Sequence, residues 1–157
     1  MAEGKKPTPE DVAAKVARAL LAHKARKKSI AITVEVEPDL PSVRAIGSDV
    51  NQVWSNLIDN AIDATPESGR IAVRARRQLN YVIVSVADDG PGIPADIIDR
   101  IFDPFFTTKP VGQGTGQGLD IARRLAYRNG GDIEVETRPG HTEFRVSLPV
   151  ANEATKQ

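Results

Sequence analysis

An apolar stripe runs through residues 50–62, where Val50, Val53, Trp54, Leu57, Ile58, Ala61 and Ile62 recur at three- and four-residue intervals. That spacing is the period of a helix with one buried side. The rest of the chain must therefore supply an apolar surface to cover it. The same stretch, "NLIDNAIDA", carries Asn56, Asp59, Asn60 and Asp63. Asn is a mediocre helix former, because its short amide competes for backbone hydrogen bonds. Asn56 and Asn60, four residues apart, stand one above the other on a single face, with Asp63 a turn further on. A solvated polar face is the plain reading; a chemical one needs support from elsewhere in the chain.

The covering surface is a sheet. "SIAITVEVE" alternates Ile30, Ile32, Val34 and Val36 against small or charged neighbours, the mark of a half-buried strand. "RIAVRARR" and "YVIVSVADD", joined through Gln78–Asn80, predict a hairpin. The second of these is apolar on both faces and is expected to be central. "DIEVET" and "TEFRVSLPV" add two strands around an "RPGH" turn. Helices are expected over 10–27, over the Asn-bearing stretch and over 117–128, with a short helical turn at Asp96–Ile101. Ser48 is the expected N-cap of the Asn-bearing helix, with Asp49 in its first turn and "PESG" ending it. "NGG" stops the helix that follows residue 117. The prediction is an α+β fold: a two-layer α/β sandwich, one mixed β-sheet of about five strands with helices packed on one face. Residues 1–9 form a polar lead-in, 10–150 the domain, and 151–157 a tail.

Acidic and basic residues balance at 21 each, so no global field points to nucleic acid or an anionic membrane. The basic "HKARKK" cluster suits the end of the first helix. The absence of cysteine removes disulfides, thiolate metal sites and thiol nucleophiles together. Two histidines, His23 and His141, make a histidine-rich metal site a poor expectation. No signal peptide or membrane-spanning run is visible, so the expected location is cytoplasmic, without direct membrane insertion.

The loops hold the remaining signals. In "VADDGPGIP" a central strand runs into a turn with Asp88 at its end. An ionised carboxylate is acceptor-only, and Gly90 and Gly92 let the backbone come close to a flat ligand. Adenine, with its exocyclic amine, suits such a pocket, whereas guanine presents a carbonyl there. "GQGTGQGL", residues 112–119, leads straight into a helix, and a helix N-terminus preceded by glycines suits phosphate. It is neither a P-loop nor a Rossmann turn, since it lacks Gly-Lys-Ser/Thr and follows no strand.

Taken in order, these stretches resemble the ATP-binding catalytic domain of sensor histidine kinases, within the Bergerat-fold ATPases. "NQVWSNLIDNAIDA" resembles the N box, "DDGPGIP" the first glycine box, "IFDPFF" the F box and "GTGQGL" the second glycine box, while "GHTEFRVSLP" matches the closing strand. The resemblance covers almost all of residues 10–150. It implies ATP and Mg²⁺ as ligands, with Asn60 giving its amide oxygen to Mg²⁺ and Asn56 bonding phosphate or a Mg²⁺-bound water. Asp63 lies on the same ATP-facing side. Asp88 would accept from the adenine amine, with Gly90, Gly92 and Ile93 shaping the turn around the base. Gly114, Thr115, Gly116 and Gly118 would line the phosphates above Leu119, Thr142 would add a polar contact near the adenine, and Lys109 could reach the terminal phosphate. The chain departs from the family's usual pattern at Gln117, where Leu is common, and at His141, where Gly is common.

The resemblance further implies an ATP lid at about 102–117, expected to be mobile without nucleotide. Among Phe102, Phe105 and Phe106, Phe102 and one neighbour are expected to anchor that lid, or the set to dock on a partner domain. The implied partners are a histidine-bearing dimerisation and phosphotransfer domain and, through it, a response regulator, with the isolated domain a monomer. Three other functions compete: a hydrolytic clamp of the gyrase, mismatch-repair or heat-shock chaperone type, an anti-sigma serine kinase, and a nucleotide-binding regulatory module without phosphotransfer. The clamp enzymes place a Glu general base where this chain has Asn56, and an amide cannot take a proton from water.

Overall fold

The computed structural model describes residues 29–106 and 118–151. The expected first helix, residues 107–117 of the expected lid and the chain beyond Ala151 lie outside the described residues. Along the chain come β1 (Ala31–Val36), α1 (Gly47–Ala64), β2 (Arg70–Gln78), β3 (Tyr81–Asp88), a 3₁₀ turn (Ile98–Arg100), α2 (Gly118–Arg128), β4 (Asp132–Arg138) and β5 (His141–Pro149). The strands form one sheet in the order β1-β2-β3-β5-β4. β1 runs parallel to β2, and the other three pairs are antiparallel. The parallel pair follows from α1, which is the crossover between β1 and β2. β3 is central, as its two-sided apolar pattern predicts.

Alternation along β2, β3 and β5 sends Ile71, Val73, Val84, Val86, Phe144 and Val146 to one face, where all are buried. α1 lays its whole stripe on that face, and Val50, Val53, Trp54, Leu57, Ile58, Ala61 and Ile62 are all buried. α2 adds Ala122 and Ala126, small side chains that let the two helices approach each other closely. Truncating the fully buried Leu57 to Ala would cost about 2–5 kcal/mol. The opposite face is charged, with pairs such as Arg74–Glu35 and Arg145–Glu136. Exposed pairs of this kind contribute little each, about 0–1 kcal/mol.

Two local expectations are corrected. Ser48 is not the N-cap: α1 begins at Gly47 after an extended Ile46, and no side chain of the local sequence caps it. Instead Asn129, just past α2, accepts the Ile46 N–H on its Oδ1 at 2.8 Å. The cap comes from a residue distant in sequence because α1 and α2 pack side by side, leaving the end of α2 over the start of α1. The hairpin connection is shorter than Gln78–Asn80, since Gln78 pairs with Tyr81 and leaves Leu79 and Asn80 between the strands.

Candidate functional site

Asp88 ends β3 on the helix-covered face, with Thr142 of β5 opposite it in register. Both are buried, Asp88 to 3% exposure. A carboxylate this deep should have partners, but among the described residues one backbone donor reaches it, the Gly90 N–H at 2.9 Å. Burial pushes the Asp88 carboxyl above its ordinary range, while the Gly90 hydrogen bond acts in the other direction. The turn that follows is pressed against its surroundings. A side chain at Gly90 would run into the Ala64 carbonyl at the end of α1, and one at Gly92 would come within 2.5 Å of the Arg138 carbonyl. Gly92 also has φ +90°, a conformation that favours glycine. The half-buried Ile93 donates its N–H to Thr137 Oγ1 at 2.9 Å.

The Gly90 contact sets this turn against the end of the Asn-bearing helix. Asn56, Asn60 and Asp63 are all half-buried on α1. Asn56 is held at both ends of its amide: Gln52 Nε2 donates to its Oδ1 at 2.7 Å, and its Nδ2 donates to the Gly118 carbonyl at 2.9 Å. That second bond joins α1 to the first residue of α2, where the glycine loop enters its helix. The Asn60 side chain has no hydrogen-bond partner among the described residues. Leu119 packs on the core below. The structure thus gathers Asp88, Gly90, Gly92, Ile93 and Thr142 at one strand end, and links Asn56 to Gly118. Lys109, Gly114, Thr115 and Gly116 lie outside the described residues.

Residues 45–152 match the model of the histidine kinase-, DNA gyrase B-, and HSP90-like ATPase family. The chain belongs to this family. Within it, the similarity lies on the histidine kinase side. The chain is 35% identical to the nucleotide-free catalytic domain of histidine kinase ThkA, with a TM-score of 0.83 over 95% of this chain and 97% of that one. ThkA in complex with the response regulator protein TrrA matches with a TM-score of 0.78 and 30% identity, over 98% of this chain and 43% of that one. Full-length ShkA in complex with AMPPNP matches with a TM-score of 0.82 and 30% identity, over 96% of this chain and 32% of that one. Sensor kinase CckA of Brucella abortus (strain 2308) is 39% identical over an alignment of 138 residues that covers 78% of this chain and 15% of that protein. The chain is therefore similar to the ATP-binding catalytic domain of sensor histidine kinases and spans a small part of the curated protein's length.

The described part of this ATPase domain's F box divides its aromatics. Phe102 and Phe106 pack on the core, and Phe102 meets Phe144 edge-on with ring centroids 6.3 Å apart. Arg123 and Arg100 lie over the Phe102 and Phe106 rings, at 4.6 and 4.8 Å. Phe105 is 68% exposed, with a positive φ of 66°. Phe102 and Phe106 thus pack on the core, while residues 107–117 of the expected lid lie outside the described residues.

Three features had no counterpart in the sequence reading. Gln52 orients Asn56, and its i, i+4 spacing was the available signal. Thr137 joins the glycine turn to Thr142. Asp49 is clamped by Arg128, with bonds of 2.6 and 3.0 Å, and by Asn129 at 2.9 Å. Among the described residues no helix is long and apolar enough to cross a membrane.

Proposed function

We propose that the chain is the ATP·Mg²⁺-binding catalytic domain, residues 10–150, of a two-component sensor histidine kinase. It passes the ATP γ-phosphate to a histidine on a separate dimerisation and phosphotransfer domain, which in turn serves a response regulator. The observation that carries this reading is Asp88, a buried carboxylate with one backbone donor and no paired cation among the described residues, beside a turn pressed against an Asn-bearing helix. A structural carboxylate would be paired; this one is left to accept from a ligand's amine. The AMPPNP complex of ShkA supports the ligand class, and the ThkA complex with TrrA supports the partner class.

Asp88 selects adenine, with Thr142 adding a polar contact beside it. Gly90, Gly92 and Ile93 shape the slot for the base, and Gly114, Thr115, Gly116 and Gly118 line the phosphates above Leu119. Asn56, held by Gln52, aims its amide at the phosphates once the Gly118 carbonyl is exchanged for ligand. The donor set fits Mg²⁺: Asn60 has an amide oxygen without a partner among the described residues, and Mg²⁺ takes few protein ligands and keeps waters. Asn60 would hold it beside Asp63, where it would neutralise phosphate charge. Lys109, in the lid of 102–117, reaches the terminal phosphate. Catalysis of phosphoryl transfer is mainly positioning and charge stabilisation, so no general base is needed at Asn56. Exposed Phe105 is the contact offered to the phosphoacceptor domain.

The test is incubation with γ-labelled ATP and Mg²⁺, alone and with a histidine-bearing two-helix domain. Acid-labile label should appear on the added domain and not on this chain. Acid-stable label would indicate a serine kinase. ATP binding without label on any acceptor would indicate a regulatory module, and label on the chain lost in His23→Ala would mean that the acceptor is misplaced.

A further inference from the structure

We propose that Thr137 is a positioning residue for adenine recognition, locking the glycine turn and Thr142 into one arrangement about Asp88. The inference rests on the nucleotide reading above. Thr137 lies opposite Thr142 in the β4–β5 register, and Thr142 lies opposite Asp88 in the β3–β5 register. The three side chains therefore form a row across adjacent strands on the helix-covered side of the sheet.

The Thr137 hydroxyl stands at a junction. Its oxygen accepts the Ile93 N–H at 2.9 Å, lies 2.9 Å from Thr142 Oγ1 and 3.3 Å from the His141 carbonyl. A hydroxyl has one proton to give. The His141 carbonyl can only accept, so giving the proton there leaves Thr137 Oγ1 to accept from the Thr142 hydroxyl as well as from Ile93, which fixes the direction of the Thr142 O–H and turns its lone pairs outward. The bond accepted from Ile93 does separate work: it holds Ile93 in the turn where Gly92 meets the Arg138 carbonyl. One side chain thus sets both the turn that admits the base and the direction of the hydroxyl next to Asp88. Valine has the same shape as threonine and can do neither.

Calorimetric titration of the chain with ADP and with inosine diphosphate separates this role from general support of the fold. The two ligands share ribose and phosphates, and inosine presents a carbonyl where adenine has its amine. In Thr137→Val, ADP affinity should fall about threefold to tenfold, the range of one lost hydrogen bond. The preference for ADP over inosine diphosphate should shrink with it, and Thr137→Ser should restore both. Thermal unfolding of each variant monitors the fold, and Thr137→Ala carries the same expectation if the valine variant does not fold. An unchanged preference in Thr137→Val would overturn the proposal, as would equal losses on both nucleotides or a serine variant no better than valine. A wild-type chain that binds neither nucleotide would overturn the nucleotide reading itself.

Discussion

Asp49 and Asp88 are both buried carboxylates, 6% and 3% exposed, at opposite ends of α1, and their surroundings could hardly differ more. Asp49 receives two bonds from Arg128 and one from Asn129, and these hold its carboxyl below the ordinary range against the pull of burial. Asp88 receives one backbone bond among the described residues, and burial holds its carboxyl above that range. A buried charge with a full partner set ties elements together; here it fixes the start of α1 to the end of α2. A buried charge left short of partners costs stability, and departures of this kind are expected at functional sites. Under the proposed function, the contrast is that between a structural aspartate and a binding one.

The contrast predicts opposite responses to the same substitution. Asp88→Ala should lower ADP affinity roughly tenfold to a hundredfold, for a lost bond to a charged acceptor of about 1.5–3 kcal/mol. Its unfolding midpoint should stay level or rise, because a poorly partnered buried carboxylate has gone. Asp49→Ala should do the reverse, lowering unfolding stability by about 1–2 kcal/mol in chemical denaturation with little change in ADP affinity. The figure is kept low because Arg128 is largely exposed and regains water. If both variants lost binding and stability together, the distinction would be false.

Asn56 lies between the two cases, since its amide is partly satisfied within the protein. Gln52→Ala should free its oxygen and weaken ATP·Mg²⁺ binding about twofold to fivefold by calorimetry, without the loss seen at Asp88. An effect as large as that of Asp88→Ala would make Gln52 a direct contact instead.

The smallest expected effect is in the pH dependence of stability. Asp49, with its lowered folded value, contributes stability that is complete above the usual carboxylate range and is lost as pH falls through its folded value. Asp88, with its raised value, keeps its proton longer in the folded state than in the unfolded one. Its contribution therefore declines as pH rises from the usual carboxylate range through its folded value. Denaturation of Asp49→Asn and Asp88→Asn across the acidic range should show the two slopes disappearing with opposite sign.

What the sequence revealed follows from how local each signal is. The α1 stripe, the hairpin and the central position of β3 rest on periods of three to four or two residues, and all are present in the fold. The glycine turn after Asp88 was visible because glycines and a strand-end carboxylate are neighbours in sequence. The clamp on Asp49, the cap on Ile46 and the Thr137–Ile93 bond were not visible, because they join residues 79, 83 and 44 positions apart. Asn129 belonged to a stop signal in the sequence, and only packing of α1 against α2 makes it a cap. Thr137 looked like one more alternating strand residue until β4 came to lie beside β5.

The most direct measurement is a heteronuclear NMR titration of the chain with ADP, followed at the two ends of α1. Saturable shifts of the Gly90, Gly92 and Ile93 amides are expected, with those of Ile46, Asp49 and Asn129 nearly unmoved. Shifts centred on the Asp49 end, or saturation that leaves the Gly90–Ile93 amides in place, would contradict a nucleotide site at the Asp88 end.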